Sequence, residues 1–505
     1  MIKNVIIQAG GDGQRAGKYA KNKPKCLISV GGKPLLFHIC DYFPQAQILV
    51  NITENTKNHI ALRNFLDLHT DYQKRISLIL VPEKGSGDGA FLGDLLGMCS
   101  GNALICWSDI LFKLPDFDES SNVVFLTDKV KCRWKIDDGI LQQEHGSGIL
   151  GCFYIHDAQA NCKYFTNDGT IIETLKNKDF VFKTALIEDC QEFGMEEDLT
   201  DYYQHNTATR YYNKIVMYDY VVEKYSLDTK VIEREIHWYN QMKMLGFNNV
   251  PRKLKDDPLT LERIKGNNLY EHLVSGGYVN PTCVFSLLEK LHNSTKPVFE
   301  MNKDLEDLYI TETVSRIKQV TKIHKLFSQI PLKINGVMCN NILTNLPVLE
   351  EVIRKIIFKG QNIGVCHGDP ILSNILIDDK DNLYLIDPRG HYGNQNTVVG
   401  PHLYDYAKLY FSSVMNFDTF NKKFFNLTIN EDGFELHTAD AGRVAALVRE
   451  AFTREFTAKF ETRHLYKIKF LAALMWLRFG SCILDDYDSI IFALAYGIYS
   501  INTLI

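Results

Sequence analysis

Over the first 190 residues, short apolar runs recur between segments whose apolar positions repeat at helical spacing. Val5-Ile6-Ile7, Ile48-Leu49-Val50, Leu78-Ile79-Leu80-Val81, Leu104-Ile105-Cys106-Trp107 and Val123-Val124-Phe125-Leu126 read as strands. Segments 34–42, 57–68 and 89–99 between them read as helices. A strand that is apolar on both faces must be covered on both, and crossover helices supply that cover. The expected architecture is therefore α/β, with a doubly wound, mainly parallel sheet. From about residue 208 the pattern changes. Residues 214–224 read as hairpin strands, 228–244 as an amphipathic helix, and most of the chain beyond as helices. This places a domain over 1–205 and a second over 206–505.

Composition alters this picture little. With 45% apolar and 23% charged residues, the bulk of the chain can bury cores and is not disordered. A length of 505 residues suits two or three domains. The net charge of -5 divides unevenly, as -6 over residues 1–205 and +1 over the remainder. No basic surplus calls for a nucleic acid or an anionic membrane. The 12 cysteines form no C-x-x-C pair and read as reduced, mostly buried thiols. The most apolar stretch, 470–484, contains Arg478 and falls short of the roughly twenty residues a membrane span needs, so a buried helix is expected. Without a secretion-signal pattern, the expectation is a cytoplasmic protein that neither inserts in membranes nor binds nucleic acid.

The first strand runs straight into Ala9-Gly10-Gly11-Asp12-Gly13-Gln14-Arg15. Glycines there let backbone N–H groups approach phosphate oxygens, and Arg15 adds a planar cation. Pro24-Lys25 and then Gly31-Gly32-Lys33-Pro34-Leu35-Leu36 come next. Together these segments resemble the nucleotidyltransferases that make nucleotide sugars and CDP-alcohols, over roughly residues 3–200, on a Rossmann-like fold. The resemblance implies that Ala9, Gly10, Gly11 and Gly13 cradle a nucleoside triphosphate. Arg15 and Lys25 would neutralise it while a substrate phosphate attacks the α-phosphorus and expels pyrophosphate. It further implies Mg²⁺ on Asp109, which ends the Leu104-Ile105-Cys106 strand where such sheets present ligands. A second ligand is expected from Glu192 in Cys190-Gln191-Glu192-Phe193-Gly194; the alternative is a solvated surface glutamate. Glu83-Lys84-Gly85-Ser86-Gly87-Asp88-Gly89 is either a base-contacting loop, through Gly87, or a plain helix start.

The second half carries Cys366-His367-Gly368-Asp369-Pro370-Ile371-Leu372-Ser373-Asn374, then Leu385-Ile386-Asp387-Pro388-Arg389-Gly390. This H-G-D-x-x-x-x-N segment, hairpin and I-D resemble the aminoglycoside phosphotransferase and choline-kinase-like family. The resemblance implies a bilobal α+β, protein-kinase-like domain, with a small lobe over about 206–265 and a helical large lobe over about 266–505. It implies that Asp369 orients or deprotonates an acceptor hydroxyl, while Asn374 and Asp387 hold Mg²⁺ on ATP phosphates. Such a domain also needs a strand lysine and a helix glutamate. Lys224 ends a strand-like run, and at 100° per residue Glu235 falls on the edge of the apolar stripe of the next helix whereas Glu233 does not. His292 and Asp405 read as structural, the latter bracing the catalytic loop. Asp-Pro-Arg-Gly departs from the I-D-x-E of choline kinases and is closer to kinase-like domains of bacterial capsule and surface-polysaccharide loci.

A kinase makes a phosphate ester and a nucleotidyltransferase consumes one. The expected function is thus bifunctional: ATP-dependent phosphorylation of a small hydroxyl compound, then transfer of a nucleotidyl group, CMP from CTP, to that phosphate. Two alternatives stay open. The transferase could act on a phosphate ester supplied elsewhere beside an unrelated kinase, or one half could be a non-catalytic nucleotide-binding regulator.

Overall fold

In the computed structural model, strands Asn4–Gln8, Gln47–Thr53, Ile76–Val81 and Ala103–Trp107 are parallel, with Asn4–Gln8 between Gln47–Thr53 and Ala103–Trp107. The structure describes all residues except 55, 82–90, 138–139, 144–145, 166–169, 207–212, 296–301, 359–361, 394, 441 and 505. Val5, Ile6 and Ile7 are wholly buried, as a central strand covered on both faces requires. Helices Leu35–Tyr42, Lys57–Asp67 and Leu92–Met98 alternate with these strands. Thr56 starts the second of them by accepting a hydrogen bond from the His59 N–H.

Beyond Trp107 the direction changes. Ser147–Ile155 joins the nine-stranded sheet antiparallel to Ala103–Trp107 and to Val123–Thr127, and Lys183–Leu186 then pairs parallel with Val123–Thr127. The parallel expectation therefore describes the half built from residues 4–107, and the other half is mixed. An apolar run reports burial, not strand direction, which is why the sequence pattern did not separate the two. A bulge interrupts Ser147–Ile155 between Ile149 and Cys152. There Gly151 takes φ 85°, and a Cβ on it would stand 2.1 Å from the Trp107 ring.

The chain forms two compact units, residues 1–206 with 484–488, and 207–483 with 489–505. In the second, Asn213–Met217, Val221–Ser226, Leu259–Glu262 and Lys253–Lys255 make an antiparallel sheet in that spatial order. Helix Thr229–Met244 packs against it and buries Glu235, Trp238, Tyr239 and Met242. Helices Pro281–His292, His402–Ser413, Arg443–Lys459 and Thr462–Phe479 supply most of the remaining core. The Ile375–Asp378 and Leu383–Leu385 hairpin carries the I-D segment back to the H-G-D loop. Two details depart from expectation. A second four-stranded sheet, Val337–Cys339, Leu332–Ile334, Gly433–Thr438 and Phe425–Ile429, stands where only helices were expected. The 470–484 stretch is the end of helix Thr462–Phe479 plus a short turn, Gly480–Cys482, because the helix begins earlier, in more polar sequence. Among the described residues no helix is long and apolar enough to cross a membrane.

Candidate active sites

In the first unit, Ala9 is held by a backbone bond to Asn51 (2.8 Å), and the chain then turns through exposed Gly11 to Gly13. Gly13 has φ 72°, and a Cβ there would meet the Ala20 methyl at 2.8 Å, so this turn accepts only glycine. Gly10 is tied back to the sheet, its carbonyl accepting from the Thr53 hydroxyl at 3.3 Å. Arg15 lies exposed in the adjoining helical turn Gln14–Ala20. Lys25 opens the turn after Pro24, and its Nζ donates to Asp109 Oδ2 at 2.7 Å.

Asp109 comes just after strand Ala103–Trp107, and the backbone around it brings in Glu192. Ile110–Phe112 pairs antiparallel with Cys190–Glu192, placing Glu192 opposite Ile110, and the Phe193 N–H donates to the Asp109 carbonyl at 2.8 Å. The two carboxylates converge on Gly194. A Cβ on that glycine would lie 2.9 Å from Asp109 Oδ2 and 3.0 Å from Glu192 Oε1. Glu192 is half-buried, and burial together with the Asp109 charge raises its pKa, against the pull of Arg15 and Lys25. Arg15, Lys25, Asp109 and Glu192 thus share one electrostatic neighbourhood, and Glu192 is not a free surface side chain. Two convergent carboxylates are hard oxygen donors that suit Mg²⁺. Gly87 lies outside the described residues. Gly194 was not singled out in the sequence, since nothing local marks a glycine whose role is to leave room for two acids.

In the second unit, Lys224 leaves strand Val221–Ser226 and donates to both oxygens of Glu235, each at 2.7 Å, and to Asp387 Oδ1. Burial alone would lower the Lys224 pKa, but the charges of Asp387 and Glu235 hold it above its ordinary value. Burial pushes the Glu235 carboxyl up to about 7, against Lys224. Asp387, whose side chain is far more exposed than that of Glu235, is held below the ordinary carboxylate value by Lys224, against the effect of burial. Its backbone is left-handed, φ 56°, a strained conformation for a non-glycine residue.

Across the H-G-D loop, Asn374 donates its side-chain amide to the Asp369 carbonyl at 2.9 Å, which fixes which way the amide faces. Asn374 and Asp387, an amide and a carboxylate oxygen donor, are a ligand set that fits Mg²⁺ on phosphates. Buried Asp405 accepts the backbone N–H groups of His367 (2.8 Å) and Gly368 (2.7 Å) and meets His292 Nε2 at 3.1 Å. It holds the loop in shape, and His292 supports it. Lys408, which sequence reasoning missed, places Nζ 2.8 Å from Asp369 Oδ1. It lies three residues after Asp405 on helix His402–Ser413, hence on a neighbouring part of the same face, and that spacing was the available signal.

The chain matches no known family profile and no curated protein. Solved structures resemble the N-terminal ~40% of it. HddC from Yersinia pseudotuberculosis is 19% identical over 40% of this chain and 97% of that one, with a TM-score of 0.32. CTP:phosphocholine cytidylyltransferase from Streptococcus pneumoniae is 14% identical, covering 40% of this chain and 97% of its own, with a TM-score of 0.32. The inositol-1-phosphate CTP transferase from T. maritima is 14% identical over 39% and 91%, with a TM-score of 0.30.

Proposed function

We propose that the chain is a bifunctional enzyme that makes an activated, nucleotide-linked building block for a capsule or other surface polysaccharide. The second unit phosphorylates a small hydroxyl compound with ATP. The first transfers CMP from CTP to the resulting phosphate and releases pyrophosphate. The observation that carries the reading is common to both units: a lysine closes on a carboxylate that is paired with a second acidic group, Lys25 on Asp109 with Glu192 and Lys224 on Glu235 with Asp387. Phosphoryl and nucleotidyl transfer gather charge on non-bridging oxygens, so fixed cations and cation-binding acids are what they need.

In the kinase step, Lys224 binds ATP phosphates, held in place by Glu235. Asp369 takes the proton of the acceptor hydroxyl as its oxygen bonds to the γ-phosphorus and the β–γ bridge breaks. In the transferase step, the backbone from Ala9 to Gly13 receives the triphosphate, and Arg15 and Lys25 offset the charge on the α-phosphate and leaving pyrophosphate. When bound, Mg²⁺ on Asp109 and Glu192, and on Asn374 and Asp387, supplies further neutralisation of phosphate charge. The position of Glu192 beside Asp109 supports a catalytic first unit over a non-catalytic regulator.

The test is incubation of the whole chain with ATP, CTP, Mg²⁺ and a panel of polyols, amino alcohols and sugars. Pyrophosphate release should depend on both CTP and one acceptor. Asp109→Ala should stop pyrophosphate release and spare ADP formation; Asp369→Ala should stop ADP formation. Absence of acceptor-dependent release across the panel would count against the reading.

A further inference from the structure

Charges around Asp369 do not balance. One turn before Lys408 on the same helix, the Tyr404 hydroxyl accepts from Arg389 Nη1 at 2.8 Å. Arg389 Nη2 reaches both oxygens of Glu312 at 3.1 Å. Glu312 also takes Arg478 and, at 3.7 Å, Arg316. One carboxylate therefore faces three guanidiniums, and Asp369 faces an ammonium. With buried Asp418, whose carboxyl feels the Asp369 charge, included, four cations stand against three carboxylates among these described residues.

The surplus is fixed to the catalytic loop. The Arg389 N–H donates to the His367 carbonyl at 2.9 Å, and its Cβ would stand 2.6 Å from a Cβ on Gly368. Burial by itself would raise the Tyr404 phenol, yet Arg389, Arg478 and Lys408 hold its pKa below the ordinary value, and Glu312 does not cancel them. The cluster opens to solvent: the side chains of Arg316 and Asp369 are 35% and 34% exposed. Its carriers are helices Glu312–Val320, His402–Ser413 and Thr462–Phe479 and the Arg389 loop, not the sheet whose Lys224 faces Glu235. Uncompensated cations at a partly buried site are costly unless an anion joins them.

We propose that the hydroxyl compound phosphorylated at Asp369 is itself an anion, bearing a carboxylate or a phosphate, whose charge Lys408 and Arg389 compensate. This rests on the kinase reading of the second unit. The acceptor oxygen bonds to the γ-phosphorus of ATP, the β–γ bridge breaks to give ADP, and the hydroxyl proton passes to Asp369. The product is a phosphate ester that keeps the original anionic group.

The test uses the whole chain saturated with Mg–AMP-PNP and melted at constant ionic strength in chloride, orthophosphate or glycerate. Orthophosphate and glycerate should raise the melting temperature by about 2 °C over chloride. Lys408→Met should remove that rise. Glu312→Gln, which enlarges the positive surplus, should increase it. With ATP in turnover, glycerate should exceed glycerol by about tenfold in kcat/KM for ADP release, with ethanolamine and choline lowest. No anion-specific rise in the wild type, an equal rise in both variants, or a preference for glycerol or ethanolamine overturns the proposal. Failure of AMP-PNP itself to raise the melting temperature would strike the kinase reading instead. Where neither member of a pair is turned over, the melting arm decides.

Discussion

Replacing Gly194 by alanine separates the site chemistry of the first unit from its stability. The new methyl would lie 2.9 Å from Asp109 Oδ2 and 3.0 Å from Glu192 Oε1, inside ordinary van der Waals contact at 3.4 Å. Each carboxylate must retreat by about half an ångström. The atoms that yield are ends of side chains, not backbone, and Gly194 has no positive φ to strain. Stability should therefore stay within about 1 kcal/mol of the parent, helped by the lower entropy of the unfolded alanine chain. Chemistry is less forgiving. Mg²⁺ demands near-octahedral oxygens at close range, and a misplacement of about 1 Å at a reacting centre costs on the order of 100-fold. Movement of Asp109 also loosens its 2.7 Å contact with Lys25. The expected loss in pyrophosphate release is about 10- to 100-fold, with a melting temperature within about 3 °C of the parent. Mn²⁺ binding to the CTP-loaded chain, read by water proton relaxation, should weaken in parallel. Parental turnover and parental Mn²⁺ affinity in Gly194→Ala would refute the reasoning, because both acids would then have room to spare.

Lys224→Met removes the cation between Glu235 and Asp387 and should lower ATP-dependent phosphorylation by at least about 100-fold, read as ADP release, while CTP-dependent pyrophosphate release from a pre-phosphorylated acceptor persists. Asp405→Asn turns an acceptor of two backbone N–H groups into a partial donor at a fully buried position, so the second unit should lose about 3–5 kcal/mol in denaturant titration. Glu235, whose carboxyl moves from the ordinary 4.5 to about 7 on folding, contributes to the pH dependence of the nucleotide- and metal-free chain in the sense opposite to His324, His391 and His402, which burial lowers to about 4. The folded chain holds the Glu235 proton where the unfolded chain has lost it, so this contribution to stability falls as pH rises from about 4.5 to 7, by up to ~1.4 kcal/mol per unit. Glu235→Gln should remove that downward contribution, so that its urea midpoints, relative to the parent's, rise with pH across the window.

Legibility in sequence tracked how far apart the cooperating residues lie along the chain. The Gly10–Arg15 turn and the Asp369–Asn374 loop are contiguous, and their geometry is set by neighbours within a few residues, as Gly13 shows in its contact with Ala20. Helical periodicity extended that reach by one step: the edge of the apolar stripe selected Glu235, which buries its carboxylate against Lys224 eleven residues earlier. Pairings set by tertiary structure were not legible. Glu192 reaches Asp109 because two three-residue strands, 110–112 and 190–192, happen to pair, and neither is long enough to announce a partner. Strand direction in Ser147–Ile155 was hidden for a related reason, since a doubly buried run looks the same in either orientation.

The Glu312 cluster carries this to its limit, and on the proposed kinase reading it is where acceptor specificity would reside. Arg316, Arg389 and Arg478 come from a helix, a loop and a second helix, and each alone reads as an ordinary charged residue. Even Arg478 inside an apolar run was legible only as a reason against a membrane span. On the proposed reading, the Asp369–Asn374 loop beside them would fix what is done to a hydroxyl, through residues close in sequence. The surrounding field, which on that reading selects the acceptor, is assembled from separate elements, and Glu312, unlike Lys408 with its 2.8 Å contact to Asp369, can be changed without removing a direct partner of Asp369 or Asn374. Exchange of charge at Glu312 or Lys408 should therefore shift acceptor preference while the ATP dependence of Lys224 and Glu235 stays as it is.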